Sequence, residues 1–427
     1  MSEAEKAGDR LDKAAAVGGE GWVATLGAIV AGALILQVAN TIMNTVVPLR
    51  LAFDQRSPLL IGLVGSAYWV GFLFGCFTIP TLIRRIGHIR GFAVFAAVQA
   101  TLTLTFPLTA ADWWGLSRLV MGTAAAGHSI CIESWISGQA RSTHRGRLFG
   151  IYQILNRLAL ISSQLAMGYV AIQAQDIFLA ASAAFSIALI PVGLTRARGP
   201  ESGELVSVRL NTLWLQAPAA VVGCLYAGLM SGPLTNVVPA YGILIGMNQK
   251  AAILLTAAVQ VGVLLLQWPV GLLADRVDSR LVMLFATSAT ALAVAGLGVP
   301  LIYGSVPRDV WLYGTFALIG GSSVTLYTVA VTHAYARLGR EQALGLSAGL
   351  LFLWGVGATL GPLFATVVMQ VIGAHGLLLY LGALSAAVGA YFAFRRIIKP
   401  PAAAVERPFV TAPAPAPGLS RPQESRS

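Results

Sequence analysis

The sequence predicts an all-α integral membrane protein, with twelve transmembrane helices in two parallel, pseudo-symmetric six-helix bundles. Three observations carry the prediction: composition, the spacing of apolar runs, and the placement of charge. Of 427 residues, 56% are hydrophobic and 11% charged, and the mean hydropathy is +0.75. Soluble domains carry about 25% charged residues, so in water this chain would expose apolar surface everywhere. Lipid is the solvent that remains.

Uncharged runs occur at roughly 23–49, 58–83, 91–110, 113–136, 148–171, 174–195, 213–247, 251–274, 281–303, 310–336, 342–371 and 375–394. Each is near or above the about 20 apolar residues that one helical crossing needs. The runs at 213–247 and 342–371 are long enough to bend or tilt. No ten-residue alternating pattern points to a barrel. With the N-terminus placed in the cytoplasm, 22 of the 28 Lys and Arg residues fall on inner segments, and the outer loops hold only Arg50, Arg56, Lys250 and Arg308. This bias is what the positive-inside rule expects of an even, correctly numbered set of spans. The net charge of +11 therefore reads as topology and headgroup attraction, not as nucleic-acid binding. Both termini are expected to be cytoplasmic, in the inner membrane.

Residues 1–20 mix acids and bases without an apolar core and read as a disordered cytoplasmic tail, not a signal peptide. Residues 21–195 form the first bundle, 196–212 a polar cytoplasmic linker, and 213–399 the second bundle. The tail at 400–427 is rich in Pro, Ala and Ser and is expected to stay disordered. Cys76, Cys131 and Cys224 lie in spans at unrelated spacing, which suits packing and not disulfides or metal.

Charged and amide side chains in lipid each demand an account, since an ionisable group at a helix centre costs on the order of 3 kcal/mol. Gln37, Asn40 and Asn44 recur at helical spacing and share one face of the first span. They read either as a cavity stripe or as interhelical hydrogen bonds. Arg118 sits about five residues into the fourth span, where snorkelling toward the outer surface competes with a gating or proton-coupling role. Glu133 lies near the cytoplasmic end of that span. It is either a protonation site or a latch paired with Arg84 or Arg85, and Asp275 with Arg276 would act likewise in the second half. Arg157 lies about 15 Å deep in the fifth span at 1.5 Å per residue. It reads as a cavity cation for an anionic or polar solute, or as a lock onto carbonyls. His128 and His333 read as packed polar residues.

Duplication is visible in the chain itself. "NTVVPLR" (44–50) and "NVVPAYG" (236–242) align at an offset of 191 residues. The same offset carries Gly71 onto Gly262 and Arg84-Arg85 onto Asp275-Arg276. An offset of 195 carries Arg145 onto Arg340 and Gly150 onto Gly345. Such matches at matching topological places indicate parallel repeats. Asn236 is then the second-half counterpart of the first-span amides, and Pro48 and Pro239 are outer hinges of the two halves.

Over about 20–400 the chain resembles the major facilitator superfamily. "GLLADRVDSR" (271–280) matches the family's loop signature with Gly271, Asp275, Arg276 and Arg280, while Asp278 stands where a second Gly is usual. The first-half copy "PTLIRRIGHIR" (80–90) keeps Arg85 and Gly87. "RLVMG" (118–122) resembles a fourth-span signature. "GATLGP" (357–362) looks like an antiporter Gly-Pro motif, placed in span eleven, so Gly357, Gly361 and Pro362 are expected hinge residues. Span five carries "QLAMG" (164–168) instead, a departure from drug/proton antiporters. "CIESW" (131–135) followed by "HRGRLFGIY" (144–152) is similar to a branch of bacterial permeases.

The resemblance implies a secondary transporter working by alternating access. Arg157 and Arg118 against one acid suggest a small polar or anionic solute, linked to a proton or other ion. Trp69, Trp268, Trp354 and Tyr152 within spans suggest, as the alternative, an exporter of amphipathic compounds. A non-transporting sensor or assembly factor is the remaining reading. No nucleophile–base constellation or His-Glu-x-x-His spacing is present, so neither enzymatic activity nor a cofactor is expected. Expected partners are the solute, the coupling ion and lipid, around a monomer.

Overall fold

The structure, a computed structural model, describes residues 3–139, 145–172, 174–194, 210–302, 309–338 and 343–398. Most of the linker, the tail from 400 and Arg340 lie outside the described residues. The helices are α1 (Glu3–Phe53), α2 (Pro58–Ile86), α3 (His88–Thr105), α4 (Trp114–Gln139), α5 (Arg145–Met167), α6 (Asp176–Ile187), α7 (Leu189–Gly193) and α8 (Leu210–Gln216). They continue as α9 (Pro218–Asn236), α10 (Val238–Leu244), α11 (Gln249–Arg276), α12 (Ser279–Ile302), α13 (Asp309–Leu338), α14 (Ala343–Ile372) and α15 (Gly376–Ile398). With α6–α7 as the sixth span and α8–α10 as the seventh, these make the twelve crossings of the expected fold.

Local sequence explains the boundaries. Pro58 opens α2 behind Ser57, whose hydroxyl accepts the Leu60 N–H at 3.3 Å, a cap that satisfies one orphan donor. Asn248 caps α11 by accepting the Ala251 N–H at 2.9 Å. Between α2 and α3 the chain reverses at Gly87 alone, with φ +83°, a conformation that favours glycine. The seventh span bends at Val237, as its length allowed. Pro233 has no N–H to give the Leu229 carbonyl, and Tyr380 Oη donates to that oxygen instead, at 3.1 Å.

One boundary differs from expectation. Helical backbone begins at Glu3, through the segment read as a disordered tail. Ala, Glu, Lys and Arg dominate there and are strong helix formers.

Among the described residues, ten helices are long and apolar enough to cross a membrane. Missing from that set are α4 and α5, the helices that carry Arg118, Glu133 and Arg157. They are held among neighbours: α4 packs on α2 and α3, and α5 on α1 and α11.

There are two apolar cores, one running from Ile29 to Val192 in the first half and reaching Ala240, Ala252 and Ile253 across the seam, the other from Leu213 to Phe392. The repeat is legible in the seams. A methyl on Gly71 would run into the Leu119 carbonyl, and one on Gly122 into that of Tyr68, so α2 and α4 touch backbone to backbone. In the second half, Gly262 meets the Ala317 carbonyl and Gly320 that of Val259, fixing α11 on α13. Small residues at helix crossings are how membrane helices pack without a hydrophobic driving force between them. The halves meet mainly along α2–α14 and α5–α11, with α1 against α10.

Candidate functional site

Between the halves lies a cavity of about 340 Å³, within the size range of small-molecule sites. Its first-half wall carries Gln37, Asn40 and Asn44 from α1, Trp69 from α2, His128 and Glu133 from α4, and Tyr152, Gln153, Asn156 and Arg157 from α5. The second half adds Ser231, Thr235, Gln260 and Trp354. The α1 stripe thus faces the cavity, and the helical spacing that placed its amides on one face is the reason.

Those amides also bond within the first half. Gln99 Nε2 on α3 donates to Asn40 Oδ1 at 3.2 Å and to the Met121 carbonyl at 3.3 Å. Asn40 Nδ2 donates to the Leu36 carbonyl and Gln37 Nε2 to Thr41 Oγ1. Asn40 thus spends one N–H and one lone pair within the first half and keeps one of each.

Arg157 reaches across the seam. Its Nη1 donates to Gln260 Oε1 on α11 at 2.5 Å. Gln260 is neutral and no ion pair to Arg157 is found among the described residues, so four of the guanidinium's five N–H groups remain for another acceptor. Gln260 escaped the sequence reading because a single amide in an apolar run has no spacing to mark it. The offset of 191 offered only a weak hint, since it places Gln260 opposite Trp69.

Arg118 is not at the outer surface. It is 1% exposed, its Nη2 donates to Asn44 Oδ1 at 2.5 Å and to Asn236 Oδ1 at 3.4 Å, and its guanidinium lies 4.3 Å from the Tyr68 ring centre. Snorkelling is excluded by these partners. Arg118 and Asn236 line a narrow slot with Val47 and Pro48, separate from the main cavity. Arg157 is thus the one Arg or Lys side chain that lines the main cavity among the described residues.

The same face is fastened at its rim. Gln249 Nε2 donates to the Val170 carbonyl at 2.6 Å, and the Ile172 N–H donates to Gln249 Oε1 at 3.3 Å. Next to it, Lys250 Nζ sits 4.4 Å from the Tyr169 ring centre. None of this clasp was singled out in the sequence, because Gln249 and Lys250 read there as an ordinary polar loop.

Glu133 faces the cavity with no hydrogen bond or ion pair among the described residues. Arg84 and Arg85 are exposed at the end of α2, so the structure does not bring the expected latch together. Asp275 and Arg276 form no such pair either. Asp278 instead holds Arg280: its Oδ2 lies 2.9 Å from Arg280 Nη2, and its Oδ1 accepts the Arg280 backbone N–H at 3.0 Å. Arg280 Nη1 continues to the Arg395 carbonyl at 3.5 Å. Asp278 thus caps α12 and ties α15 to it, which accounts for an acid where the family signature has glycine. Burial raises this carboxyl, but the hydrogen bonds and charge of Arg280 outweigh burial and hold it below its ordinary range.

The expected hinge residues occupy different settings. Pro48 is buried inside the unbroken α1, while Pro239 opens α10 just after the bend. Gly357, Gly361 and Pro362 form the α14 side of a close seam with α9. Gly361 abuts the Leu229 carbonyl that Pro233 frees, and Gly232 abuts the Ala358 carbonyl that Pro362 frees. Of the aromatic residues, Trp69 and Trp354 meet edge-on across the halves at 5.2 Å, and Tyr152 lines the cavity. Trp268 is 72% exposed on the outer wall of α11 and takes no part. His128 is packed against Phe92 and Phe95, with Nε2 3.2 Å from the Phe92 carbonyl. Among the described residues no His, Cys, Asp and Glu cluster could hold a metal ion.

Comparison with known proteins agrees with this architecture. The chain is 27% identical over 346 residues to "Uncharacterized MFS-type transporter YcaD" of Escherichia fergusonii, covering 80% of this chain and 88% of that protein. It is 27% identical over 350 residues to "Uncharacterized MFS-type transporter Ent638_1421" of Enterobacter sp. (strain 638), with the same coverage. Among solved structures, the nucleoside transporter NupG superposes with a TM-score of 0.69 at 14% identity, covering 87% of this chain and 98% of that one. A bacterial homolog of the human lysosomal transporter Spinster, inward-facing and unoccupied, gives 0.69 at 14% identity, covering 88% and 96%. These structural likenesses establish the fold. The family model described as Major Facilitator Superfamily matches residues 29–352, and the chain therefore belongs to that superfamily, as a multi-pass membrane transporter.

Proposed function

We propose that the chain is a secondary active transporter that moves a small polar or anionic solute across the cytoplasmic membrane by alternating access, linked to a proton. The observation that carries this reading is the cavity between the halves. It holds a guanidinium, Arg157, paired only to a neutral amide, and a carboxylate, Glu133, with no partner among the described residues. An uncompensated buried charge is costly unless a ligand or a proton satisfies it. Arg157 is read as the anion-binding group and Glu133 as the proton site. Asn44, Arg118 and Asn236, with the Gln249 clasp, are read as the outer gate.

The charge bias along the sequence puts the Pro48 face outside and both termini in the cytoplasm. On that assignment the Asn44–Arg118–Asn236 contacts and the Gln249 clasp lie on the outer side of the cavity. The edge-on Trp69–Trp354 pair favours one second reading, export of amphipathic compounds. Purified protein in proteoliposomes tests both: uptake of a small anionic solute driven by an imposed pH gradient, and lost in Arg157→Ala, supports the first. Flux that ignores the gradient removes the proton link. Flux of lipophilic cations untouched by Arg157→Ala supports the second.

A further inference from the structure

The cavity holds two opposite charges that do not neutralise each other. Arg157 on α5 and Glu133 on α4 both line it, yet no ion pair joins them. Helix geometry gives the reason. Glu133 lies six residues before the end of α4 at Gln139, and Arg157 twelve residues after the start of α5 at Arg145. At 1.5 Å per residue, Arg157 sits roughly 9 Å closer to the Pro48 face than Glu133. The two charges therefore stand at different depths, with space and the Trp69–Trp354 wall nearby.

Each charge also keeps capacity of a particular kind. Arg157 spends one N–H on Gln260, which leaves a planar edge suited to a carboxylate. Glu133 has both oxygens free to accept from an ammonium. A simple anion would satisfy the first and leave the second bare; a simple cation would do the reverse. A solute bearing both charges, several bonds apart, compensates the whole site.

We propose that the cavity recognises a zwitterionic solute with separated charges, its carboxylate held by Arg157 and Gln260 and its ammonium by Glu133. This rests on the transporter reading above and narrows its substrate class. A proton on Glu133 and the ammonium exclude each other, so loading the solute releases that proton into the aqueous mouth of the cavity.

The test is binding to purified full-length protein, read by thermal shift and calorimetry. The probes are ω-amino acids of increasing chain length, and for each one its two halves: the carboxylate without the amine and the amine without the carboxylate. At least one ω-amino acid should bind roughly tenfold or more tightly than either half-molecule, the size expected for losing a charge-assisted hydrogen bond. Glu133→Gln should then bind the bare carboxylate as well as the zwitterion, while Arg157→Gln should do so for the bare amine. Glu133→Asp should restore the wild-type order, and a retained cooperative melting transition without ligand guards against misfolding.

Equal binding of carboxylate and zwitterion by wild type overturns the proposal, and so does no binding across the whole series. If Glu133→Gln keeps the wild-type ligand order but abolishes proton-driven flux, the transporter reading stands and the zwitterion falls.

Discussion

The rim clasp lends itself to a quantitative prediction. Gln249→Ala removes two hydrogen bonds between the halves, one at 2.6 Å to the Val170 carbonyl and one at 3.3 Å from the Ile172 N–H. Both are neutral bonds in which the lost partners can turn to water, so each contributes about 1 kcal/mol net. Two such bonds come to about 2 kcal/mol, or about a 30-fold shift in the ratio of closed to open molecules at this face. By contrast, Arg118 offers the second half only the single 3.4 Å contact with Asn236, its other partners Asn44 and Tyr68 being in its own half. Gln249→Ala should therefore open this face more than Asn236→Ala does. The assay is the rate at which an impermeant thiol reagent, added from the Pro48 face, modifies a cysteine placed at Gln37 in a chain otherwise free of cysteine. A rate unchanged by Gln249→Ala, or raised more by Asn236→Ala, would refute the reasoning that the rim clasp carries the closure.

Further outcomes follow from the same geometry. Arg157→Ala leaves Gln260 Oε1 without its partner and should lower stability by about 1–3 kcal/mol, besides removing solute-dependent thermal stabilisation. Asp278, held below its ordinary range by Arg280, contributes stability that is present above its unfolded pKa of about 3.9 and lost as pH falls through the lower folded value. Asp278→Asn should thus melt earlier than wild type near neutral pH, and the difference should close below about pH 4. Gly71→Val and Gly262→Val drive side chains into the Leu119 and Ala317 carbonyls and should cost about 1–3 kcal/mol or more. Gly115→Ala, which meets nothing within 4 Å, should be neutral or stabilising by up to about 1 kcal/mol; detergent melting curves check all three.

Much of the fold was legible because membrane helices follow strong rules. Length, apolarity and charge placement fix the spans, and the match of Gly71 with Gly262 foretold equivalent seams in the two halves. The shared face of Gln37, Asn40 and Asn44 also followed from helical geometry. What failed was rotation and partnership. Counting residues from Trp113 says how deep Arg118 starts, but not that Asn44, Asn236 and Tyr68 surround it. Nor does a signature say which acid pairs with Arg280, and Asp278 wins because it sits two residues away at the helix cap. Trp268 looked like a cavity residue by composition, yet its helix turns it outward. The Gln260 and Gln249 contacts depend on how two halves dock, a long-range property that no local pattern records.

Spin-label distances across both faces of one protein test alternating access most directly. One pair, at Leu108 and Val310, spans the halves on the Pro48 face, where both side chains are well exposed; the other, at Arg85 and Arg396, spans them on the opposite face. Changing pH or adding a bound solute should lengthen one distance while shortening the other. Distances that rise and fall together, or a single fixed distance on both faces under every condition, would contradict the account.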